Sequence, residues 1–129
     1  MKPYVVDTNA LLRFILKDVS QQYNQVEKLL MQAKIGKVRL VVLQIVVFEL
    51  HFALLKYYHF GKVEIIEKLE SFISSAYLDI ESRAVFLEAL KVYRNTSISF
   101  VDCFLAAKAK KESCTLFTFD KDLRKLMAQ

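Results

Sequence analysis

Four acidic residues lie inside or directly beside apolar segments, where burying a carboxylate is costly unless a partner offsets its charge. They are Asp7, Glu49, Asp102 and Asp120. If these carboxylates converge in the fold, they cannot all stay ionised without a counter-charge. A hard divalent cation such as Mg²⁺ or Mn²⁺ would supply it, because such ions prefer oxygen ligands. The first hypothesis from the sequence is therefore a carboxylate metal site.

The chemistry of such a site would be phosphodiester hydrolysis. One or two divalent ions can flank a phosphodiester, activating the attacking water and stabilising the leaving oxygen. The chain offers few alternatives, because it has only two histidines, two glycines and no nucleophile-elbow motif. It also lacks the glycine-rich motifs that cradle the phosphates of nucleotide cofactors.

The elements that would position these acids alternate between strand and helix. Short β-branched runs predict strands over 3–7, 38–43, 76–80 and 114–118. Between them, apolar residues at helical spacing predict helices from Asn9, over 20–36, over a segment marked by Val63, Ile66, Leu69 and Ile73, over 82–94 and over 99–111, with a short terminal helix. The segment 44–60 is interpreted as a strand-to-helix transition with Glu49 in its helical part. This alternation predicts an α/β fold, a three-layer α/β/α sandwich with a mainly parallel sheet, as a single domain over 1–129.

This fold would bring some of the acids to one edge. Ligand sites of open parallel sheets form at the carboxyl ends of the strands, where Asp7 and Asp120 are both predicted. Glu49 is predicted early in a helix that follows a strand, so it begins at the same edge. Asp102 lies in a helix that precedes the last strand, and the alternation alone does not place it at that edge.

The charge balance favours a polyanionic partner. There are 19 Lys and Arg against 14 Asp and Glu, a net charge of +5, and setting the four acids aside leaves a body of +9. A cation-loaded acidic centre on a basic body suits a nucleic acid backbone. The candidate phosphate contacts are Arg13, Lys17, Lys108, Lys110, Lys111, Lys121, Arg124 and Lys125.

Membrane insertion and secretion are not expected. The longest apolar run, residues 40–48, is far shorter than the roughly 20 residues of a membrane-spanning helix. The N-terminus has no signal-peptide pattern, which predicts a cytoplasmic protein with no membrane partner. Cys103 and Cys114 are accordingly expected to be reduced.

Four ordered segments resemble the PIN-domain ribonucleases, and more specifically the VapC-type toxins of toxin–antitoxin modules. These are VVDTNALLRFIL (5–16), VVFEL (46–50), DCFLAAKA (102–109) and TFDKDL (118–123). Each segment alone is weak, but together they span nearly the whole chain in the family's order. One departure is Glu112-Ser113, where the family often carries a glycine before its last strand.

The resemblance implies an α/β/α sandwich, dependence on Mg²⁺ or Mn²⁺, and endonucleolytic cleavage of RNA. It assigns Asp7, Glu49, Asp102 and Asp120 as catalytic metal ligands and places Asp102 with the other three. It assigns Thr8, Asn9 and Thr118 the role of orienting acids or waters. It adds Asp122 as a further candidate ligand. It also implies a homodimer and a cognate antitoxin protein that inserts into the active-site groove.

Structural interpretations of the same residues stay open at this point. Asp7 and Asp120 could cap helices, Glu49 could pair with Lys56, and Asp102 could complement a helix dipole. A cluster of aromatic residues could form core, a dimer surface or base-stacking contacts; it comprises Phe52, Tyr57, Tyr58 and Phe60. The alternative function is a non-catalytic RNA-binding or regulatory PIN-like module. A receiver-like phosphoacceptor domain ranks last, because no acid pair precedes Asp7.

Overall fold

The computed structural model describes residues 1–129, which divide into two compact units. We call Met1–Glu81 the N-terminal unit and Ser82–Gln129 the C-terminal unit. The N-terminal unit holds three strands, β1 (Lys2–Val5), β2 (Val38–Val42) and β3 (Leu78–Ile80). Its four helices are α1 (Thr8–Leu16), α2 (Ser20–Lys34), α3 (Gln44–Lys56) and α4 (Lys62–Ile73).

The three strands form a parallel sheet in the order β1-β2-β3. Its register pairs Tyr4 with Leu40 and Leu40 with Leu78, and helices form each crossover between parallel neighbours. Alternate residues of β2 are buried while Arg39 between them is exposed, as expected for a strand with one better-covered face. The α/β class with a parallel sheet is therefore confirmed.

α3 begins at Gln44 and is helical throughout, so the expected strand-to-helix transition over 44–60 is wrong. The helix is rich in apolar residues, and six of its side chains are buried: Val46, Val47, Leu50, His51, Ala53 and Leu54. Burial of these side chains outweighs the modest helix propensity of the β-branched residues at its start, and only one face of the helix is exposed, formed by Ile45, Glu49, Phe52 and Lys56. Glu49 lies in the second turn of this helix, as expected.

The C-terminal unit is built from helices: α5 (Arg83–Asn95), α6 (Phe100–Lys111) and α7 (Lys121–Met127). Phe86 on α5 stacks against Phe100 and Phe104 of α6, with ring centroids 6.0 and 4.8 Å apart. The small side chain of Ala106 allows α6 to pack closely against Leu123 and Leu126 of α7.

Residues 114–118 form no strand, which corrects the expected fourth strand. A strand requires a neighbouring backbone for its hydrogen bonds, and the C-terminal unit contains no other strand. The Thr118 carbonyl instead accepts a hydrogen bond from Nε of Arg124 at 2.8 Å. No helix of either unit has both the length and the apolar character needed to cross a membrane.

Candidate active site

In the N-terminal unit, the turn that links β1 to α1 holds the first group of predicted site residues. Asp7 is the N-cap of α1, and its Oδ1 accepts a hydrogen bond from the Ala10 backbone N–H at 2.9 Å. The next residue, Thr8, donates its hydroxyl to Oε1 of Glu49 on α3 at 2.8 Å. Two predicted metal ligands, 42 positions apart in the chain, are thus connected through Thr8.

Each of these two acids keeps one carboxylate oxygen without a protein partner. Asp7 uses Oδ1 in its cap and Glu49 uses Oε1 with Thr8, so Oδ2 and Oε2 remain open. Asn9 is exposed at the second position of α1, and its side chain makes no hydrogen bond. The predicted pairing of Glu49 with Lys56 is absent.

In the C-terminal unit, Asp120 is the N-cap of α7 and its Oδ1 accepts from the Leu123 backbone N–H at 2.8 Å. The Thr118 hydroxyl accepts a hydrogen bond from the Asp120 backbone N–H at 3.1 Å. Thr118 therefore contacts the backbone of Asp120 and not the Asp120 carboxylate. Thr8, by contrast, donates a hydrogen bond to the carboxylate of Glu49. Asp122 lies exposed in the first turn of α7.

Asp102 lies in the first turn of α6 and is half-buried. The helix is capped by Ser99, whose hydroxyl oxygen accepts from the Asp102 backbone N–H at 3.2 Å. The Asp102 carboxylate is not needed for the cap and accepts no hydrogen bond of its own. Its position also favours a negative charge, because the amino end of a helix carries partial positive charge.

All four acids share one property with five other acids of the chain, which are Glu27, Glu64, Glu67, Glu81 and Asp122. None of them forms an ion pair, although the chain carries 19 Lys and Arg. Asp18, Asp79, Glu88 and Glu112 all do. Open carboxylate oxygens without basic neighbours are suited to a divalent cation. Within neither unit do three or more potential ligand residues form a metal-binding group. Convergence of all four acids therefore stays a prediction.

Several of the predicted phosphate contacts are engaged within the protein. Arg13 is only 17% exposed; its guanidinium donates to Oδ2 of Asp18 at 2.9 Å and to the Tyr58 hydroxyl at 3.2 Å. Its Nε is buried without a partner. Lys108 pairs with Glu112, and Lys110 donates to the Leu126 carbonyl at 3.2 Å. Nζ of Lys17 lies 5.7 Å from the centroid of the Tyr23 ring, and the candidates that make no such contact are Lys111, Lys121 and Lys125.

Sequence reasoning missed the contacts that organise these side chains. The hydrogen bonds from Thr8 to Glu49 and from Arg124 to the Thr118 carbonyl were not predicted. The second connects residues only six positions apart, and the sequence pattern does not show that the Arg124 side chain turns back to a backbone carbonyl. The first depends on the packing of α1 against α3 and has no signal in local sequence.

Comparisons with known proteins agree with this arrangement of elements. A family model for the PIN domain matches residues 4–128. A VapC ribonuclease of Aquifex aeolicus (strain VF5) is similar, with 27% identity over 107 residues, which cover 83% of this chain and 78% of that protein. All four acids lie inside the stretch that the family model matches.

Proposed function

This chain belongs to the PIN-domain family, its resemblance to VapC-type members is confirmed, and on that premise we propose that it is a metal-dependent endoribonuclease. We further propose that it is the toxin of a toxin–antitoxin pair and acts in the cytoplasm on RNA. The observation that carries the proposal is the pair of acids connected through Thr8 in the N-terminal unit, where Asp7 and Glu49 each leave one carboxylate oxygen open. We treat residues 1–129 as one PIN-like domain.

Asp7, Glu49, Asp102 and Asp120 would hold Mg²⁺ or Mn²⁺, with Asp122 as a further candidate ligand. Such an ion supplies charge neutralisation at the phosphate and a lowered pKa for a coordinated water. The fit rests on donor chemistry, because hard cations take oxygen ligands and each acid leaves at least one carboxylate oxygen open.

The chain's own residues would fix the geometry of these acids. Thr8 holds one oxygen of Glu49, so the other oxygen has a defined direction. The caps made by Asp7 and Asp120 restrict those side chains in the same way. An open carboxylate oxygen can also orient a water and accept its proton as the water attacks phosphorus. Asn9 and Thr118 would assist by hydrogen bonding to waters or backbone at the site.

Two protein partners are part of the proposal. The family resemblance implies a cognate antitoxin that occupies the active-site groove. It also implies a homodimer, for which α3 offers exposed aromatic surface. Phe52 and Tyr57 are both exposed there, with ring centroids 5.8 Å apart in an edge-to-face arrangement. Exposed aromatic side chains of this kind are enriched in protein interfaces.

The test of the activity is RNA cleavage by the purified protein with and without divalent metal. We expect cleavage to stop in EDTA and to return with Mg²⁺ or Mn²⁺. Asp7→Asn should lower kcat/KM at least about a hundredfold, since even outer partners of metal sites are worth 10–100-fold. Its fold should survive, because Asn caps a helix as well as Asp does.

The matched control is Asp79→Asn, which removes an acid that is exposed and paired with Arg39 at 3.7 Å. This variant should keep wild-type activity. Full cleavage by Asp7→Asn, or cleavage that ignores EDTA, would contradict the proposed mechanism.

The second candidate is a non-catalytic RNA-binding or regulatory module. Two observations favour it: Asp7 and Asp120 already serve as helix caps, and neither unit groups three potential ligands. The two functions differ in cells. A toxin should arrest growth when it is produced without its antitoxin, and Asp7→Asn should relieve that arrest. A binding module should show no such dependence on the carboxylate.

A further inference from the structure

The helix that carries Glu49 begins without a cap of its own. The N-cap of α3 is Leu43, whose side chain accepts no hydrogen bond. The first backbone N–H groups of a helix have no partner inside the helix and need an acceptor from elsewhere. That acceptor comes from a distant part of the N-terminal unit, because Oε1 of Glu81 accepts the backbone N–H of Gln44 at 2.6 Å. The contact joins residues 37 positions apart.

The sheet holds Glu81 in place for this contact. Glu81 directly follows β3, and its backbone N–H donates to the carbonyl of Val42, the last residue of β2, at 3.0 Å. Its carboxylate forms no ion pair that would draw it away. A carboxylate at the amino end of a helix makes a strong, charge-assisted hydrogen bond and offsets the partial positive charge there. Glu81 therefore supplies, from β3, the cap that Leu43 does not provide.

The candidate ligand Asp7 lies at the same edge of the sheet, on the other side of β2. The central strand β2 has β1 as one neighbour and β3 as the other. The backbone N–H of Val6 donates to the Val41 carbonyl at 3.1 Å, and Asp7 is the next residue. The helix that leaves β2 thus starts between Asp7, which follows β1, and Glu81, which follows β3.

Two contacts of different kinds locate Glu49 in this arrangement. Thr8 donates to one oxygen of the Glu49 carboxylate and so holds the side chain. Glu81 holds the backbone at the start of the helix from which that side chain projects. Residues of a functional site must be kept within about 0.5 Å of their productive geometry, which a frayed first turn of α3 would not achieve.

We propose that Glu81 is a positioning residue for the candidate metal site, which fixes the start of α3 and thereby the place of Glu49 relative to Asp7. This role rests on the proposed metal-dependent function and adds to it a fifth acid that acts through Glu49. The opposing interpretation is a cap that only stabilises the helix. Such a cap would change the stability of the protein and leave its metal affinity unaltered.

The first measurement tests the contact itself, through hydrogen exchange of the Gln44 backbone amide followed by NMR. Glu81→Ala should speed this exchange at least about tenfold, because the amide loses a charged acceptor. Glu81→Gln should give an intermediate rate, since its amide oxygen can still accept the hydrogen bond but carries no charge.

The second measurement is Mn²⁺ affinity, determined by EPR, together with the kinetics of RNA cleavage. Glu81→Ala should weaken Mn²⁺ binding and lower kcat about tenfold each, the lower end of the range for outer partners of metal sites. KM for RNA should stay nearly constant, and Glu81→Gln should recover most of the loss. The matched control is Glu64→Ala, which removes an exposed acid from the first turn of α4, a helix that carries no candidate ligand. It should keep the wild-type Mn²⁺ affinity.

The third measurement asks whether the effect passes through Glu49. In the Glu49→Gln background, Glu81→Ala should change Mn²⁺ affinity no further, because the ligand that it positions has already been lost. Two residues that act through one group are non-additive in this way.

Three results would overturn the positioning role. They are unchanged exchange of the Gln44 amide in Glu81→Ala, wild-type Mn²⁺ affinity and kcat in that variant, and a full further loss of affinity in the Glu49→Gln background. Each of them leaves the proposed function intact if the wild type binds Mn²⁺ and cuts RNA. A wild type that does neither would remove the proposed function, and the positioning role with it.

Discussion

The two units differ in charge and in how that charge is used. The N-terminal unit has ten Lys and Arg against nine Asp and Glu, whereas the shorter C-terminal unit has nine against five. Nearly all of the net +5 therefore belongs to the C-terminal unit. In the N-terminal unit the arginines pair with Asp18 and Asp79, while Arg124 of the C-terminal unit pairs with no acid.

The candidate metal ligands are divided equally, with Asp7 and Glu49 in one unit and Asp102 and Asp120 in the other. Under the proposed function, carboxylates from both units would be needed, while attraction for the RNA backbone is expected mainly from the C-terminal unit. Net charge alone therefore does not locate an acidic site, because the more basic unit also carries two of the four candidate ligands.

The strongest test of this division compares one acid from each unit. If both acids contribute to one metal site, as proposed, Asp7→Asn and Asp102→Asn should each lower kcat/KM at least about a hundredfold. The double variant should be no worse than the single variants, since residues that act as a unit are strongly non-additive. RNA cleavage rates at saturating metal measure this. Full activity of Asp102→Asn would remove the C-terminal unit from the site, and multiplicative losses would indicate independent contributions.

Helices could be predicted from the sequence more accurately than the pairing of strands in the sheet. The apolar spacing of Ile66, Leu69 and Ile73 reads directly as the buried face of α4, because helical periodicity is local. The alternation over 114–118 reads equally well as a strand, yet a strand also needs a partner backbone, which local sequence does not specify.

The same limit applies to the site. The four acids were identified from residue type and apolar context, both of which are local. The hydrogen bond between Thr8 and Glu49 spans 41 residues and exists only because α1 and α3 pack together. Sequence patterns therefore identify candidate acids but not the contacts that orient them.

Both histidines belong to the N-terminal unit, so acid sensitivity near pH 5 should arise there. Burial of His51 on α3 lowers its pKa from 6.5 to about 4. The unfolded chain therefore binds this proton first as the pH falls. Stability should decline between about pH 6.5 and pH 4, by at most about 3 kcal/mol, and should lose nothing further from His51 below that window.

Urea unfolding of the wild type and of His51→Gln at pH 7, 5.5 and 4 measures this effect. The variant should be less stable at pH 7 because its packing is altered, but the decline between pH 6.5 and 4 should be much smaller. An equally steep decline in both proteins would show that another group in the fold carries the proton linkage.

A smaller effect distinguishes the two threonines that support the acids. Thr8→Val removes a hydrogen bond to the Glu49 carboxylate, so kcat should fall about 10–100-fold. Thr118→Val removes only an acceptor for the Asp120 backbone N–H, which water can replace at this exposed position. Its kcat should fall only a few-fold. Each threonine changed to Ser should restore activity, and the reverse order of effects would contradict the assigned roles.

The smallest effect tests the charge comparison itself. In the Asp7→Asn background, changing Lys121, Arg124 and Lys125 together to Gln should reduce the salt dependence of RNA binding. Each lost phosphate contact lowers the slope of log K against log salt by about 0.7, so three contacts lower it by about 2, which corresponds to roughly 16-fold in affinity between 50 and 200 mM salt.

The matched triple variant changes Lys28, Lys34 and Lys37 of the N-terminal unit to Gln and removes the same formal charge. If RNA lies along the C-terminal unit, this second variant should keep nearly the wild-type slope, because these lysines contact no phosphate. Equal reductions in both variants would mean that RNA responds to total charge alone. The excess of positive charge in the C-terminal unit would then have no directing role in binding.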